Sequence, residues 1–119
     1  MRSLRIVAAA TWALTGPATA ADLTGTEPSD ATGRGSDVFQ HYCAICHGTS
    51  ADGNGRAAKL YDPRPANLKA SRATDAYKEL IIRRGGLHVG RSGFMPAWEQ
   101  ELTGMETRDV VAYLRTLAK

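Results

Sequence analysis

The sequence predicts an all-α fold in which about three short helices are joined by long loops. Two stretches begin with helix-capping residues followed by apolar side chains at helical spacing, and a third stretch runs into a Cys-x-x-Cys-His motif. No segment shows the alternation of apolar and polar residues that is typical of a strand. Because loops this long are uncommon in a small domain, the pattern favours loops that wrap a large bound group.

The first 34 residues are predicted to precede the folded domain. Residues 1–20 have the features of a secretory signal peptide: Arg2 and Arg5, then a short apolar run, then the small-residue site Ala18-Thr19-Ala20. The apolar run is too short to span a bilayer comfortably, so no membrane span is expected after signal removal. Residues 21–34 are small, polar and aperiodic, which predicts a flexible leader before a single domain over residues 35–119.

The first predicted helix leads into the cysteine motif. It is expected to begin at Ser36, whose hydroxyl suits an N-cap, and to stop near Gly48. Its apolar face would include Phe39 and Tyr42. Residues 48–73 are punctuated by glycine and proline and are predicted to be mostly loop.

Two further helices are predicted from their caps. One would run from the N-cap Thr74 to Arg84, with Gly85 following it. Its expected apolar face consists of Tyr77, Leu80 and Ile81. The last helix opens with a capping box formed by Thr103 and Glu106. Its apolar residues at positions i, i+3, i+4 and i+7 are Val110, Tyr113, Leu114 and Leu117.

Charge and size limit the function classes. The chain has 119 residues with 15 Lys and Arg against 12 Asp and Glu, and removal of residues 1–20 would leave 13 basic residues in a mature chain of 99 residues. Neither a basic run nor aromatic residues interleaved with basic ones are present, so no nucleic-acid binding is expected. A chain this short forms one domain with a limited core, to which a buried cofactor would add apolar filling.

The motif Cys43-Ala44-Ile45-Cys46-His47 contains the only two cysteines of the chain. This arrangement is the attachment site of a c-type haem, in which each thiol forms a thioether and the adjacent imidazole becomes an axial ligand of the iron. A zinc site would need further Cys or His at finger-like spacing, and a thioredoxin-like pair would need a preceding strand. The motif therefore predicts one covalently bound haem c with iron, held by Cys43, Cys46 and His47.

A second axial ligand is expected from the far side of the haem. Met95 lies in a loop and is followed by Pro96, which stiffens the backbone next to the sulfur. His88 is the main rival, and an open sixth position stays possible. Met105 is expected to pack in the core, and His41 is badly placed on the proximal helix. Ligation by His47 and Met95 would raise the reduction potential and favour electron transfer over catalysis.

Most of residues 35–119 resembles the small soluble cytochromes c with one His/Met-ligated haem. The segments that carry the resemblance are Gly35-x-x-x-Phe39, the haem motif through Gly48, Pro65-Ala66-Asn67-Leu68, Met95-Pro96 and Val111-Ala112-Tyr113-Leu114. The resemblance implies the cytochrome c fold, in which the first and last helices cross with Gly35, Phe39 and Tyr113 at the contact.

The resemblance also implies roles around the cofactor. A proline carbonyl would accept the N–H of the His47 imidazole, with Pro65 as the candidate and Pro63 as its neighbour. Arg91 and Trp98 flank Met95 and are candidate donors to a haem propionate, although a solvated loop position or plain packing would explain them equally well.

Taken together, the sequence predicts a monomeric periplasmic one-electron carrier that is not an enzyme. It would shuttle electrons between a dehydrogenase or membrane complex and an oxidase or reductase, by brief docking at an exposed haem edge. The alternative is a haem enzyme or a gas or redox sensor with a labile or open distal site.

Overall fold

The computed structural model describes residue 16 and residues 28–119. This part of the chain contains helices, turns and loops without a strand, so the prediction of an all-α fold is confirmed. The α-helices are α1 (Pro28–Val38), α2 (Ala44–His47), α3 (Asp75–Arg84) and α4 (Gly104–Leu117). Apart from Gly16, the predicted signal peptide lies outside the described residues, as do residues 21–27 of the predicted leader.

A π-helical turn at Phe39–Cys43 joins α1 to α2. The backbone is right-handed helical at both junctions, with φ −60° and ψ −45° at Val38 and φ −64° and ψ −26° at Ala44. The two helices and the turn therefore form one helical segment that ends, as predicted, at Gly48, where φ is +83°. Single π turns inside helices are frequent at functional sites, and this one ends at the first cysteine of the motif.

The predicted start of the first helix is wrong. Helix α1 begins at Pro28, a residue type favoured at the first helical position, and Ser36 lies inside it rather than at its N-cap. Residues 28–34, which we predicted to be part of a flexible leader, are therefore helical. The physical reason is tertiary, because Arg34 forms a two-pronged ion pair with Asp109 of α4, with N–O distances of 2.7 and 3.2 Å.

Helices α1 and α4 cross at the contact that the resemblance implied. A Cβ atom at Gly35 would lie 1.9 Å from the carbonyl oxygen of Asp109, so only glycine allows the two backbones to approach this closely. Next to it, the rings of Phe39 and Tyr113 pack with their centroids 5.5 Å apart. The crossing thereby anchors the helical segment that carries the cysteine motif.

The caps of α3 and α4 are as predicted. The hydroxyl of Thr74 accepts a hydrogen bond from the backbone N–H of Tyr77 at 3.2 Å, and Thr103 and Glu106 form a reciprocal capping box.

Two predicted packing assignments near these caps are wrong. Leu80 is 41% exposed, because α3 turns Ile82 into the core in its place. Met105, which was expected in the core, is 53% exposed on the first turn of α4.

The core lies where the helical segment 28–47, α3 and α4 meet. Its buried members are Phe39, Cys43, Ala44, Ala51, Ile82, Leu102, Val110, Val111 and Leu114. The two long connections, each with a short 3₁₀ turn (Ala58–Leu60 and Leu87–Val89), extend from this core and line a cavity beside it. None of the helices in residues 28–119 combines the length and apolar character needed to cross a bilayer.

Candidate functional site

A cavity of about 630 Å³ opens beside the core. Its volume lies in the range of about 300–1,000 Å³ that is typical of cofactor sites. The helical segment, the two long connections, α3 and α4 all contribute to its walls. Its lining includes the two thiols and both expected iron ligands: Cys43, Cys46, His47 and Met95.

The two cysteines are unpaired thiols on the same wall of this cavity. Cys43 is 8% exposed, and burial, reinforced by the neighbouring Cys46 sulfur, raises the pKa of its thiol to about 12. The Cys43 thiol therefore stays protonated at neutral pH and is a poor nucleophile in thiol–disulfide exchange. This environment suits a thiol that is reserved for a covalent bond to a group inside the cavity.

The His47 imidazole is positioned by a backbone carbonyl. Its Nδ1 lies 3.0 Å from the oxygen of Ala66, and because a carbonyl oxygen only accepts, Nδ1–H is the donor. Burial lowers the pKa of His47, and the bond to Ala66 opposes this effect only in part. The ring is thus neutral with Nε2 free to bind a metal, which is the form of histidine that ligates iron.

The predicted acceptor for this imidazole is wrong by one residue. Ala66 takes the role that we assigned to Pro65, while the Pro65 carbonyl faces Gly53 instead, 2.7 Å from where a Cβ atom would stand. Pro65 still lines the cavity. The register differs because the loop is held through the backbone of residues 65–67 against Gly53, a contact that local sequence does not encode.

The loop after the motif satisfies the last carbonyls of α2, which have no partner within the helix. Four backbone N–H groups fold back onto the four consecutive carbonyls of the motif. The donor and acceptor pairs are Gly48 to Ala44, Ala57 to Ile45, Gly55 to Cys46 and Gly53 to His47, at 2.9, 3.0, 3.1 and 2.7 Å. This network fixes the backbone on which the two thiols and the imidazole stand.

Met95 is held in its own loop by two backbone hydrogen bonds. Its carbonyl accepts from Gly86 N–H at 2.9 Å, and its N–H donates to the Ser92 carbonyl at 3.3 Å. The side chain is partly buried against the core and lines the cavity.

The other candidate ligands are not among the residues that line the cavity. Met105 is 53% exposed, and His88 is exposed on the 3₁₀ turn Leu87–Val89, between α3 and α4. His41 is also exposed, with its ring against Tyr42 at a centroid distance of 4.6 Å.

Arg91 and Trp98 both line the cavity. Arg91 is exposed, whereas Trp98 is partly buried with its ring against Tyr42 at a centroid distance of 5.4 Å. Neither side chain donates to another residue of the described part.

Sequence reasoning missed Lys78, which is buried in the same wall. The signal that could have found it is its place three and four residues before Ile81 and Ile82, on the face of α3 that lines the cavity.

The residues present fit a haem c. Two thiols, a neutral imidazole and a thioether face a cavity with largely apolar walls, and no Asp or Glu belongs to its lining. A zinc-like site is not supported, since no group of three or more His, Cys, Asp or Glu in residues 28–119 could hold a metal ion. The donor set therefore suits a macrocycle that brings its own metal rather than a bare cation.

Comparison with known proteins agrees with this chemistry. The chain is 29% identical over 103 residues to the Cbb3-type cytochrome c oxidase subunit FixP of Azorhizobium caulinodans, a match that covers 80% of this chain and 31% of that protein. The chain thus spans about a third of the length of this relative. Residues 30–114 match a protein family of cytochrome c domains. Such a domain carries covalently bound haem c with iron and serves electron transfer rather than catalysis. By this match the chain belongs to the family described as cytochrome c oxidase, cbb3-type, subunit III.

Proposed function

We propose that this protein is a periplasmic one-electron carrier whose haem iron is ligated by His47 and Met95. The observation that carries the proposal is that both side chains line one cavity together with the two thiols of the attachment motif. When bound, haem c supplies an iron that exchanges one electron between its ferrous and ferric states. The residues of the chain hold this group, set its potential and keep water away from it.

His47 and Met95 set the electronic properties of the site in opposite directions. The Nδ1–H bond to Ala66 fixes the orientation of the His47 ring and increases its basicity, which favours the ferric state. The thioether of Met95 is a soft ligand that favours the ferrous state and raises the potential. With both ligands in place, the iron has no open position for oxygen or peroxide, which supports transfer of electrons over catalysis.

Apolar side chains from two helices exclude water from the cavity. Ile82 of α3 and Val110 and Leu114 of α4 are 6%, 0% and 3% exposed, and all three line its walls. A dry, rigid site changes little when the charge of the iron changes, so little reorganisation accompanies the transfer of an electron.

The partners are proposed to be redox proteins that dock briefly at the mouth of the cavity. Phe94, 56% exposed, lies at this mouth in contact with Tyr61, their ring centroids 5.0 Å apart. A contact of this kind belongs to the small interfaces, below about 1,200 Å², that are typical of transient electron-transfer pairs. The name of the FixP relative makes an oxidase of the cbb3 type a candidate acceptor, and the signal-like residues 1–20 support a periplasmic location. The carrier is proposed to act as a monomer.

Substitution of each methionine in turn tests the ligand assignment and the function together. The ferric protein is expected to show the weak sulfur-to-iron band at the red end of its spectrum. Met95→Ala should abolish this band and lower the reduction potential by an amount on the order of 0.1 V, within the ~0.8 V range over which axial ligands set haem potentials. Met105→Ala, at an exposed position outside the cavity, is the matched control and should change neither. Rapid carbon monoxide binding by the unsubstituted ferrous protein would contradict the proposal and favour a sensor or enzyme.

A further inference from the structure

Lys78 is a buried cation without a counter-ion. It is 9% exposed, and the other buried polar or charged residues in the described part of the chain are Thr107 and Asp109. Both of these are satisfied, because the Thr107 hydroxyl donates to the Thr103 carbonyl at 3.1 Å and Asp109 pairs with Arg34. The Lys78 ammonium, in contrast, has no hydrogen bond or ion pair with any residue in the described part.

The helix that carries Lys78 offers it no partner. Asp75, one turn earlier on α3, pairs instead with Arg115 of α4 at 3.1 Å. Glu79 is adjacent in sequence, and consecutive residues of a helix do not face each other. A buried ammonium costs free energy unless an anion or several acceptors meet it, so the missing partner is expected from outside the polypeptide.

The ammonium opens into the haem cavity. No fully inaccessible side-chain nitrogen or oxygen lacks a partner among the described residues, so the Lys78 ammonium keeps contact with open space. Lys78 is one of the residues that line the cavity, together with Tyr77, Ile81 and Ile82 on the same face of α3. The cavity is therefore the space that this buried group reaches.

The cavity is positively charged and contains no carboxylate of its own. Its lining holds three basic side chains, Arg64, Lys78 and Arg91, and no Asp or Glu. Arg64 and Arg91 are exposed at the surface, whereas Lys78 is only 9% exposed. A haem brings two propionate carboxylates, which are the anions that this lining lacks.

We propose that Lys78 binds a haem propionate, its ammonium donating to one carboxylate inside the cavity. Lys78 thereby orients the cofactor about the axis fixed by the two thioethers, and it adds a positive charge close to the iron. The proposal requires only the covalently bound haem, so it does not depend on which side chain supplies the second axial ligand or on which partners exchange electrons with the protein.

The test uses the mature haem protein with ¹³C at the two propionate carboxylate carbons, observed by NMR in the diamagnetic ferrous state. Lys78→Met, which removes the charge with little change of shape, should shift one of the two carboxylate resonances and leave the other in place. Lys78→Arg, which keeps the charge, should restore most of the original shift. Lys59→Met removes the same charge from an exposed position that does not line the cavity, and it should shift neither resonance.

The reduction potential of the same variants provides a second, independent measurement. It should fall in Lys78→Met relative to Lys59→Met, because a nearby positive charge favours the ferrous state. The sulfur-to-iron band of the ferric protein should persist in both. The proposal is overturned if neither carboxylate resonance responds to Lys78→Met, if Lys59→Met shifts them equally, or if Lys78→Met removes the sulfur-to-iron band.

If Lys78→Met does not attach haem, the contact between Lys78 and the propionate can be measured directly in the unsubstituted protein. In the unsubstituted protein with ¹⁵N-labelled lysine Nζ, solid-state NMR should detect a dipolar coupling between one Nζ and one labelled carboxylate carbon. If this coupling disappears in Lys78→Arg, the coupled nitrogen is that of Lys78. Absence of any such coupling in the unsubstituted protein contradicts the proposal.

Discussion

Gly35 of α1 lies so close to Asp109 of α4 that a Cβ atom at residue 35 would stand 1.9 Å from the Asp109 carbonyl oxygen. The approach brings two backbones together at the point where the helical segment bearing the cysteine motif meets the last helix. The geometry of the cofactor wall therefore depends on a residue without a side chain that lies eight positions before Cys43.

Gly35→Ala should destabilise the protein. The added methyl group would force α1 away from α4, at a cost of about 1–3 kcal/mol or more, as for overpacked cores. Gly33→Ala is the matched control on the same helix, since a Cβ atom there meets nothing within 4 Å. It should stabilise the protein by about 0.4–1 kcal/mol, because alanine has fewer unfolded conformations to lose. Denaturant unfolding measures both, and equal effects of the two substitutions would contradict the close crossing.

The Arg34–Asp109 pair should contribute more to stability than the surface pair Arg115–Asp75. The Asp109 side chain is 7% exposed, so Arg34→Met would leave a buried carboxylate without its cation. Because Arg34 itself is 32% exposed, we expect a smaller loss of stability than a fully buried pair would show, but a larger one than for a surface pair. Arg115→Met breaks a pair whose side chains are 62% and 43% exposed and should cost under about 1 kcal/mol. The opposite order in thermal or denaturant unfolding would refute this ranking.

Gly53→Ala should disturb the hydrogen bond that orients His47. Gly53 has φ +83°, and a Cβ atom there would lie 2.7 Å from the Pro65 oxygen and 3.2 Å from the Ala66 carbonyl carbon. Displacing this segment would weaken the bond from Nδ1–H to Ala66, make the imidazole less basic and raise the reduction potential.

The control for this substitution is Gly33→Ala. Gly33 lies on α1 outside the cavity lining, and a Cβ atom there meets nothing within 4 Å. Voltammetry of both variants should show a raised potential for Gly53→Ala alone. An unchanged potential in Gly53→Ala would mean that the contact with residues 65–67 does not govern the His47 ring.

The capping box of α4 should make part of the stability depend on pH. The backbone N–H and the hydroxyl of Thr103 both donate to Glu106 Oε2 at 2.8 Å, and these bonds lower the pKa of Glu106. A carboxylate whose pKa is lowered in the folded state stabilises it above the unfolded pKa, and this contribution is lost as the pH falls through the folded value. The stability difference between the unsubstituted protein and Glu106→Gln should therefore shrink as the medium is acidified below about pH 4.5. Unfolding followed across pH measures this difference, and a difference that does not shrink on acidification would contradict the prediction.

The caps of α3 and α4 could be predicted from sequence because their signals are local. Thr74 and the pair Thr103 and Glu106 each act within one turn of the helix that they begin. The haem attachment site could be predicted for the same reason, since one pentapeptide contains both thiols and the imidazole.

The features that sequence reasoning missed depend on distant contacts. The start of α1 at Pro28 is stabilised by packing and by the Arg34 pair with Asp109, far along the chain. The choice of Ala66 over Pro65 as hydrogen-bond acceptor follows from how residues 65–67 rest against Gly53. The burial of Lys78 depends on the packing of several elements around the cavity, and the helical spacing to Ile81 and Ile82 places it only on the correct face of α3.

The visible spectrum of the purified mature protein in both redox states tests the central claim most directly. The account predicts a haem that remains with the polypeptide on acid–acetone extraction, a sharp low-spin spectrum in the ferrous state and the weak sulfur-to-iron band in the ferric state. A colourless protein, a haem that is extracted, or a high-spin ferric spectrum without the sulfur-to-iron band would contradict it.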